Sequence, residues 1–355
     1  MRHALTALIL GSLMSVASAA ELVVPSVTHP TIASAISAAT LGDVISVKPG
    51  TYAETLNLTN VTGLTILGKG KVVIDATGNS NGISGNTVTS TRIENVTVRN
   101  ATGSGIDLSL ATATILRKVR VENVGSDGIK LTGGLGNQLV SCSTKGCQED
   151  GFDVETYSSL ISGLVARDSQ ATGIAINGNI NRVEKCTSEN AVAVGFSLGA
   201  SATSLTNVIV NLRIKGETAT GVVATPNADH NSFFDVIISS ATANGLSVNS
   251  GASRNSFRKI TVGPCGAAAF VVDGSFNVFD TCSATKATND GFNVTGFQNL
   301  LTNCSAKSCG TGFRVLGPSN AISRSKALKC ALAATDVGMA DNVYIENNFL
   351  DPNTI

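Results

Sequence analysis

The sequence predicts an all-β fold, a right-handed single-stranded parallel β-helix of about a dozen rungs, each roughly 22–23 residues long. Three observations carry this. A Gly followed by a large apolar residue recurs at a nearly fixed interval, as in Gly82-Ile83, Gly105-Ile106, Gly128-Ile129, Gly151-Phe152 and, after further repeats, Gly312-Phe313. An Asn follows eight to ten residues later in most repeats. Between these marks, short stretches alternate apolar and polar residues in the manner of strands. A period of this size, sustained from end to end, is the signature of a solenoid whose units bury their apolar faces only by stacking.

The strand after each Gly points Ile106 and Leu108, Ile129 and Leu131, or Phe152 and Val154 toward the core, and Asp107, Lys130 and Asp153 away from it. The Asn column comprises Asn137, Asn181, Asn231, Asn255, Asn277, Asn299 and Asn320. Asn tolerates the left-handed backbone of a sharp bend, and stacked amides can hydrogen-bond along the axis, so this column is expected to hold the bends. Positions two, five and seven beyond each Asn are apolar or small, as in Phe257, Ile260 and Val262, which gives three short strands per turn around one core. The long interval from Gly195 to Gly221 implies one lengthened turn.

The eight cysteines fall in two columns, Cys142, Cys186, Cys282 and Cys304 five residues after the Asn position, and Cys147, Cys265, Cys309 and Cys330 ten after it. Ile260 and Ala287 occupy the same columns, so the cysteines are expected to be small core hydrophobes. On the ~4.8 Å spacing of neighbouring strands, Cys282–Cys304 and Cys309–Cys330 are the pairs that a disulfide would reach.

Residues 1–20 have the basic start, apolar run and small-residue Ala17-Ser18-Ala19-Ala20 end of a secretory signal, with cleavage expected after Ala19 or Ala20. The apolar run is too short to span a membrane as a helix, and no later segment approaches that length, so no membrane span is expected. The remainder divides into a cap and first turn (21–62), the rungs (63–334) and a partial rung (335–355). Pro30 to Thr40 reads as a short amphipathic helix covering the open end of the solenoid. The tail offers no such helix, so contacts between copies through the carboxyl end are a further expectation. Charged residues are only 14% of the chain, and Lys plus Arg equals Asp plus Glu at 25 each. That balance gives no electrostatic case for nucleic acid.

Pro30-Thr31-Ile32, Pro49-Gly50-Thr51-Tyr52-Ala53-Glu54, Gly63-Leu64-Thr65-Ile66-Leu67-Gly68 and Val73-Ile74-Asp75 resemble the amino-terminal region of the pectin-lyase-like right-handed β-helix superfamily, which includes pectinesterases, polysaccharide lyases and NosD-like periplasmic β-helix proteins. The resemblance implies the β-helix; the signal segment implies a secreted or periplasmic location, and the long, regular Asn/Thr/Ser-rich face an interaction with an extracellular polymer, polysaccharide above all. The resemblance does not extend to the catalytic motifs. There is no Trp for a pectinesterase pattern, and the mature histidines His29 and His230 have no Gly-His-Gly context. In Glu149-Asp150-Gly151-Phe152-Asp153, which resembles a mannuronan C-5-epimerase segment, Val154, Glu155 and Thr156 replace that family's Pro-His-Asp.

The densest charge grouping is the outward column Asp107, Lys130, Asp153, with Glu155 on the same strand and Asp127, Glu149 and Asp150 in the adjoining turns. Asp107, Lys130, Asp153 and Glu155 are the candidate ligand-binding residues. Asp150, Asp153 and Glu155 are candidate ligands for Ca²⁺, which takes six to eight oxygens and would bridge to a uronate, although no cofactor is required. Carboxylates beside Lys130 should raise its pKa, the opposite of what a lyase base needs. Three readings follow from this: binding of an extracellular polysaccharide along one flank, a lyase or epimerase acting near Asp107 to Glu155, and a structural or surface protein whose solvent-exposed Asp–Lys–Asp ladder is only an ion-pair network.

Overall fold

The computed structural model describes residues 19–216, 219–336 and 341–349. The signal segment therefore lies outside the described residues, apart from Ala19 and Ala20. The chain winds as a parallel β-solenoid of about 14 turns with, among the described residues, one short helix. Each regular turn has three walls: a strand after the Gly, a second after the Asn column, and a third beyond a one-residue bend. The first wall is a sheet of 13 parallel strands from Leu56–Asn57 to Leu332–Asp336. The second and third walls merge into one sheet because Val208–Lys215, Ser232–Ile238 and Ser256–Val262 run through the bend without a break. The solenoid is slightly longer than the Gly repeat implies. Thr55 and Ala333 occupy the Gly position of the first and last turns of the first wall, so neither carries the sequence mark.

The Gly column exists because backbone approaches backbone closely there. A Cβ on Gly128 would lie 2.5 Å from the carbonyl oxygen of Gly151 one rung on and 2.6 Å from Thr144 Cγ2. A side chain there presses on the next layer, and on this wall Thr55, Ala269 and Ala333 are the positions that carry one.

The Asn column does something different from what its sequence suggests. The left-handed residue is the one before it: Ser158, Ile180, Thr206, His230, Arg254, Phe276, Gln298 and Ser319 all have φ between 48° and 62°. The Asn itself points inward, where its amide forms a buried chain along the axis. Oδ1 of Asn207, Asn231, Asn255, Asn277, Asn299, Asn320 and Asn342 each accepts the backbone N–H of the column residue one rung earlier, at 2.8–2.9 Å. Nδ2 donates back to a carbonyl of the preceding turn, as Asn299 does to Gly274 at 3.0 Å. A side chain with one acceptor and a paired donor is needed to satisfy both groups. Ser159 replaces Asn in one rung, and its hydroxyl still accepts the N–H of Asn137 at 2.9 Å. Asn207 belongs to the lengthened turn and falls outside the regular spacing, yet it completes the chain.

Inside, stacked columns of Ile, Val and Leu give way toward the carboxyl end to aromatic stacks. Phe233, Phe257 and Phe279 lie 4.9 and 4.8 Å apart, and Phe270, Phe292 and Phe313 lie 4.4 and 4.9 Å apart, with nearly parallel rings. All eight cysteines are buried free thiols in this core. Burial pushes the Cys142, Cys147 and Cys186 thiols up to about 12, which keeps them protonated and inert.

The amino-terminal helix spans Ile32–Ala38, shorter than the predicted Pro30 to Thr40, and is set by a capping box between Thr31 and Ser34. The Glu54 carboxylate accepts the N–H groups of Ile32 and Ala33, both at 2.9 Å, and Ile32 and Ala35 seal the core. At the other end, strands Val343–Ile345 and Asn348–Phe349 continue the walls without a covering helix among the described residues, beside a cleft of about 550 Å³ lined by Ala334, Asp336, Tyr344 and Phe349.

Two outcomes follow. Asn299→Leu removes the acceptor for Asn277 N–H and the donor for Gly274 C=O, each buried; the expected loss is about 1–3 kcal/mol for each group left unsatisfied, read from the denaturation midpoint. A midpoint equal to wild type would show that the chain of amides does not hold the turns. Thiol titration of denatured, unreduced protein is expected to find all eight thiols, and two or more disulfides would overturn the buried-thiol core.

Candidate functional site

The register of the first wall places Asp107 opposite Lys130 and Lys130 opposite Asp153, so the three do form an outward column on successive rungs. Glu155 stands two residues along the same strand, opposite Thr132 and Asn177. The contacts, however, are not those of a simple ladder. Lys130 Nζ reaches Asp153 at 3.2 Å and Asp127 at 3.2 Å, and Asp107 is not among its ion-pair partners. Asp127, which reads in the sequence as a turn residue, takes the place expected of Asp107. It is almost wholly buried, and burial raises its pKa despite the neighbouring Lys130 charge. Partial burial also works against the Lys130 charge, but Asp127 and Asp153 outweigh it and hold the ammonium charged well above its ordinary range. The expected direction is therefore observed, with a different pair of carboxylates. A lysine so held is not a base.

The carboxylates of the turns are engaged with backbone. Asp127 Oδ1 accepts the N–H of Asp150 at 3.0 Å, and Asp150 Oδ1 accepts the N–H of Thr172 at 2.7 Å. Asn81 and Asn244, at the same position ahead of their glycines, accept from Ser104 and Ala268. This is a second column of side-chain-to-backbone bonds one rung long, and the Asp-Gly and Asn-Gly pairs were its sequence signal. Of the three residues expected to meet Ca²⁺, Asp150 is thus turned toward the next rung and Asp153 toward Lys130. Among the described residues no three His, Cys, Asp or Glu side chains converge as a metal site. His230 occupies a left-handed bend position, with Nδ1 3.0 Å from Asp229.

Burial, with the nearby Asp127 and Asp153 charges, pushes the Asp150 carboxyl up to about 6, against the favourable bond from Thr172. A carboxyl whose folded pKa lies above its unfolded value binds a proton more tightly when folded. Its effect is therefore to make stability fall as pH rises from about 4 through 6, with the full penalty above that window. Asp150→Asn keeps the acceptor for Thr172, as Asn81 and Asn244 do for their partners, and removes the charge. The variant is expected to melt a few degrees above wild type at pH 7.5 and to coincide with it at pH 4, by calorimetry. A lower melting temperature at pH 7.5 would mean that the buried charge is fully compensated.

No curated protein matches the sequence. Solved structures do match the fold. The catalytic domain of a GH87 α-1,3-glucanase in complex with tetrasaccharides superposes with a TM-score of 0.65 at 12% identity, over 91% of this chain and 69% of that one. The A-module of Azotobacter vinelandii mannuronan C-5 epimerase AlgE6 superposes with a TM-score of 0.68 at 12% identity, over 89% and 93%. Bacteriophage CBA120 tailspike protein 3 gives 0.59 at 11% identity, over 88% of this chain and 57% of that one. At such identities these likenesses concern the fold alone. The sequence itself matches the right handed beta helix region over residues 50–211 and 202–350. With stacked parallel walls and a Gly corner along those segments, and a buried amide chain from Thr114 to Asn342, the chain belongs to the right-handed β-helix family.

Proposed function

We propose that this is an exported protein, secreted or periplasmic, that binds an extracellular polysaccharide along one flank of the solenoid. The observation that carries the reading is the in-register stacking of outward polar side chains in straight columns parallel to the axis, repeating at the ~4.8 Å strand spacing. From Ser84 to Asp153, such a surface offers a polar group at every rung to a linear polymer. The glucanase bound to tetrasaccharides and the mannuronan epimerase, which share the fold, support a glycan as that polymer. Binding is preferred to lysis or epimerisation because Lys130 is held charged and the Asp127 and Asp150 carboxylates are engaged with backbone. No cation is required, since Asp150 and Asp153 already have partners.

Protein recovered from the periplasm or medium is expected to begin at residue 20 or 21, to bind at least one polysaccharide on a glycan array, and to keep that binding in EDTA. The same polymers incubated with the protein should show no rise in absorbance from unsaturated uronate. A rise would favour a lyase acting near Asp107, Lys130, Asp153 and Glu155. Loss of binding in EDTA would restore Ca²⁺ at Asp153 and Glu155, and failure to bind any glycan would leave a structural role for the solenoid.

A further inference from the structure

The balanced total charge hides a division by face. Among the described residues between Arg92 and Lys329, the outward and bend positions of the second and third walls carry 18 of the chain's 25 Lys and Arg, against seven Asp and Glu. The rest of the described chain over the same rungs carries nine acids and three bases. The first wall with its turns is therefore the acidic side, and the second and third walls form the basic side.

The basic side has two further properties. Lys118, Lys145, Lys185, Lys259, Lys307 and Lys326 are all exposed, and no ion pair engages them among the described residues. Arginines on this face are mostly paired with acids of the same face, but Arg117 and Arg213 are held loosely, 3.9 Å from Glu94 and 3.8 Å from Asp235. These two line shallow clefts, one of about 220 Å³ with Arg92 and Gln138, the other of about 360 Å³ with Lys185, Thr187 and Asn211. In addition, lysines occupy left-handed bends, Lys118 at φ 50°, Lys185 at 56°, Lys259 at 54°, Lys286 at 56° and Lys329 at 55°. Gly or Asn fits that backbone with less strain, and the neighbouring rungs use them there, as with Asn95 and Gly163. Folding alone does not call for lysine at these positions.

Building on the polysaccharide reading above, we propose that the polymer is an anionic polysaccharide and that it lies along this basic face, its acid groups meeting the lysines of the two bends and the two arginine-lined clefts. Lys118 and Lys329 are nine rungs apart, about 43 Å at the ~4.8 Å strand spacing, so the face suits a chain of about eight or more sugars rather than a small oligosaccharide. Carboxylate and sulfate groups would both satisfy it.

The test uses the full mature chain and four probes: oligogalacturonate of at least eight residues, heparin fragments of similar length, neutral dextran, and duplex DNA of matched charge. The variant is Lys118→Asn with Lys185→Asn and Lys259→Asn, which places a residue suited to each left-handed bend and so preserves the fold. Arg254→Asn, at a left-handed bend off this face, is the control. Wild type is expected to bind one or both acidic glycans, more weakly as NaCl rises from 20 to 150 mM, and the triple variant to bind about tenfold or more weakly with an unchanged melting temperature. The preference between oligogalacturonate and heparin identifies carboxylate or sulfate as the recognised group. Binding that is indifferent to salt, unchanged in the triple variant or equally reduced in the control would overturn the assignment to this face while leaving the polysaccharide reading intact, as would equal binding of dextran. DNA binding tighter than either acidic glycan would overturn the choice of a glycan, and a protein that binds no glycan at all would sink both readings.

Discussion

The fold depends on one recurring constraint: the backbone N–H at the inward corner of each turn is buried, and its partner must come from the next turn. A buried group left unpaired costs about 1–3 kcal/mol, so the corner cannot be repeated many times without a partner at every step. The Asn amide supplies one. Its oxygen reaches down to the N–H of the preceding rung, its nitrogen donates back toward the turn, and the next Asn does the same for it. Because each amide is held by its neighbours, the turns from Thr114 to Asn342 lock into register. The sidewall strands then need to supply only short ladders and an apolar interior.

Once register is fixed, the rest of the molecule consists of columns. Inward columns may hold Ile, Phe or Cys with little consequence beyond filling, which is why four cysteines share a column with Ile260 and Val236 and remain unreactive. The Gly corner has much less freedom, because at its glycines a Cβ would enter the next backbone. Outward columns are free of packing constraints, and there the chain varies most. The acidic cluster around Lys130 and the lysine-bearing bends both occur in such columns, on opposite sides of the solenoid.

Ion pairing and backbone bonding divide the labour on the acidic side. Asp127 serves two partners, Lys130 through one oxygen and the Asp150 N–H through the other. That double use explains how a nearly buried carboxylate is tolerated, and it removes Asp127 and Asp150 from the groups free to meet a ligand. The grouping that is most conspicuous in a weakly charged sequence is thus partly structural.

The sequence by itself determined the repeat, the three-strand turn, the inward columns, the capping helix and the outward alignment of Asp107, Lys130 and Asp153, because each follows from periodicity and the alternation of side chains along a strand. It also marked the Asn column, but assigned it the left-handed bend that in fact belongs to the residue before it. Bulky residues such as Ile180 and Phe276 at those bends gave no sign of their backbone. Only the tertiary structure decided that Lys130 turns to Asp127 rather than Asp107, since both lie within one rung of it and the choice depends on burial and on the spare oxygen of Asp127. It alone revealed the division of charge, because a total of zero says nothing about faces, and residues distant in sequence reach the same side only once the turns are stacked.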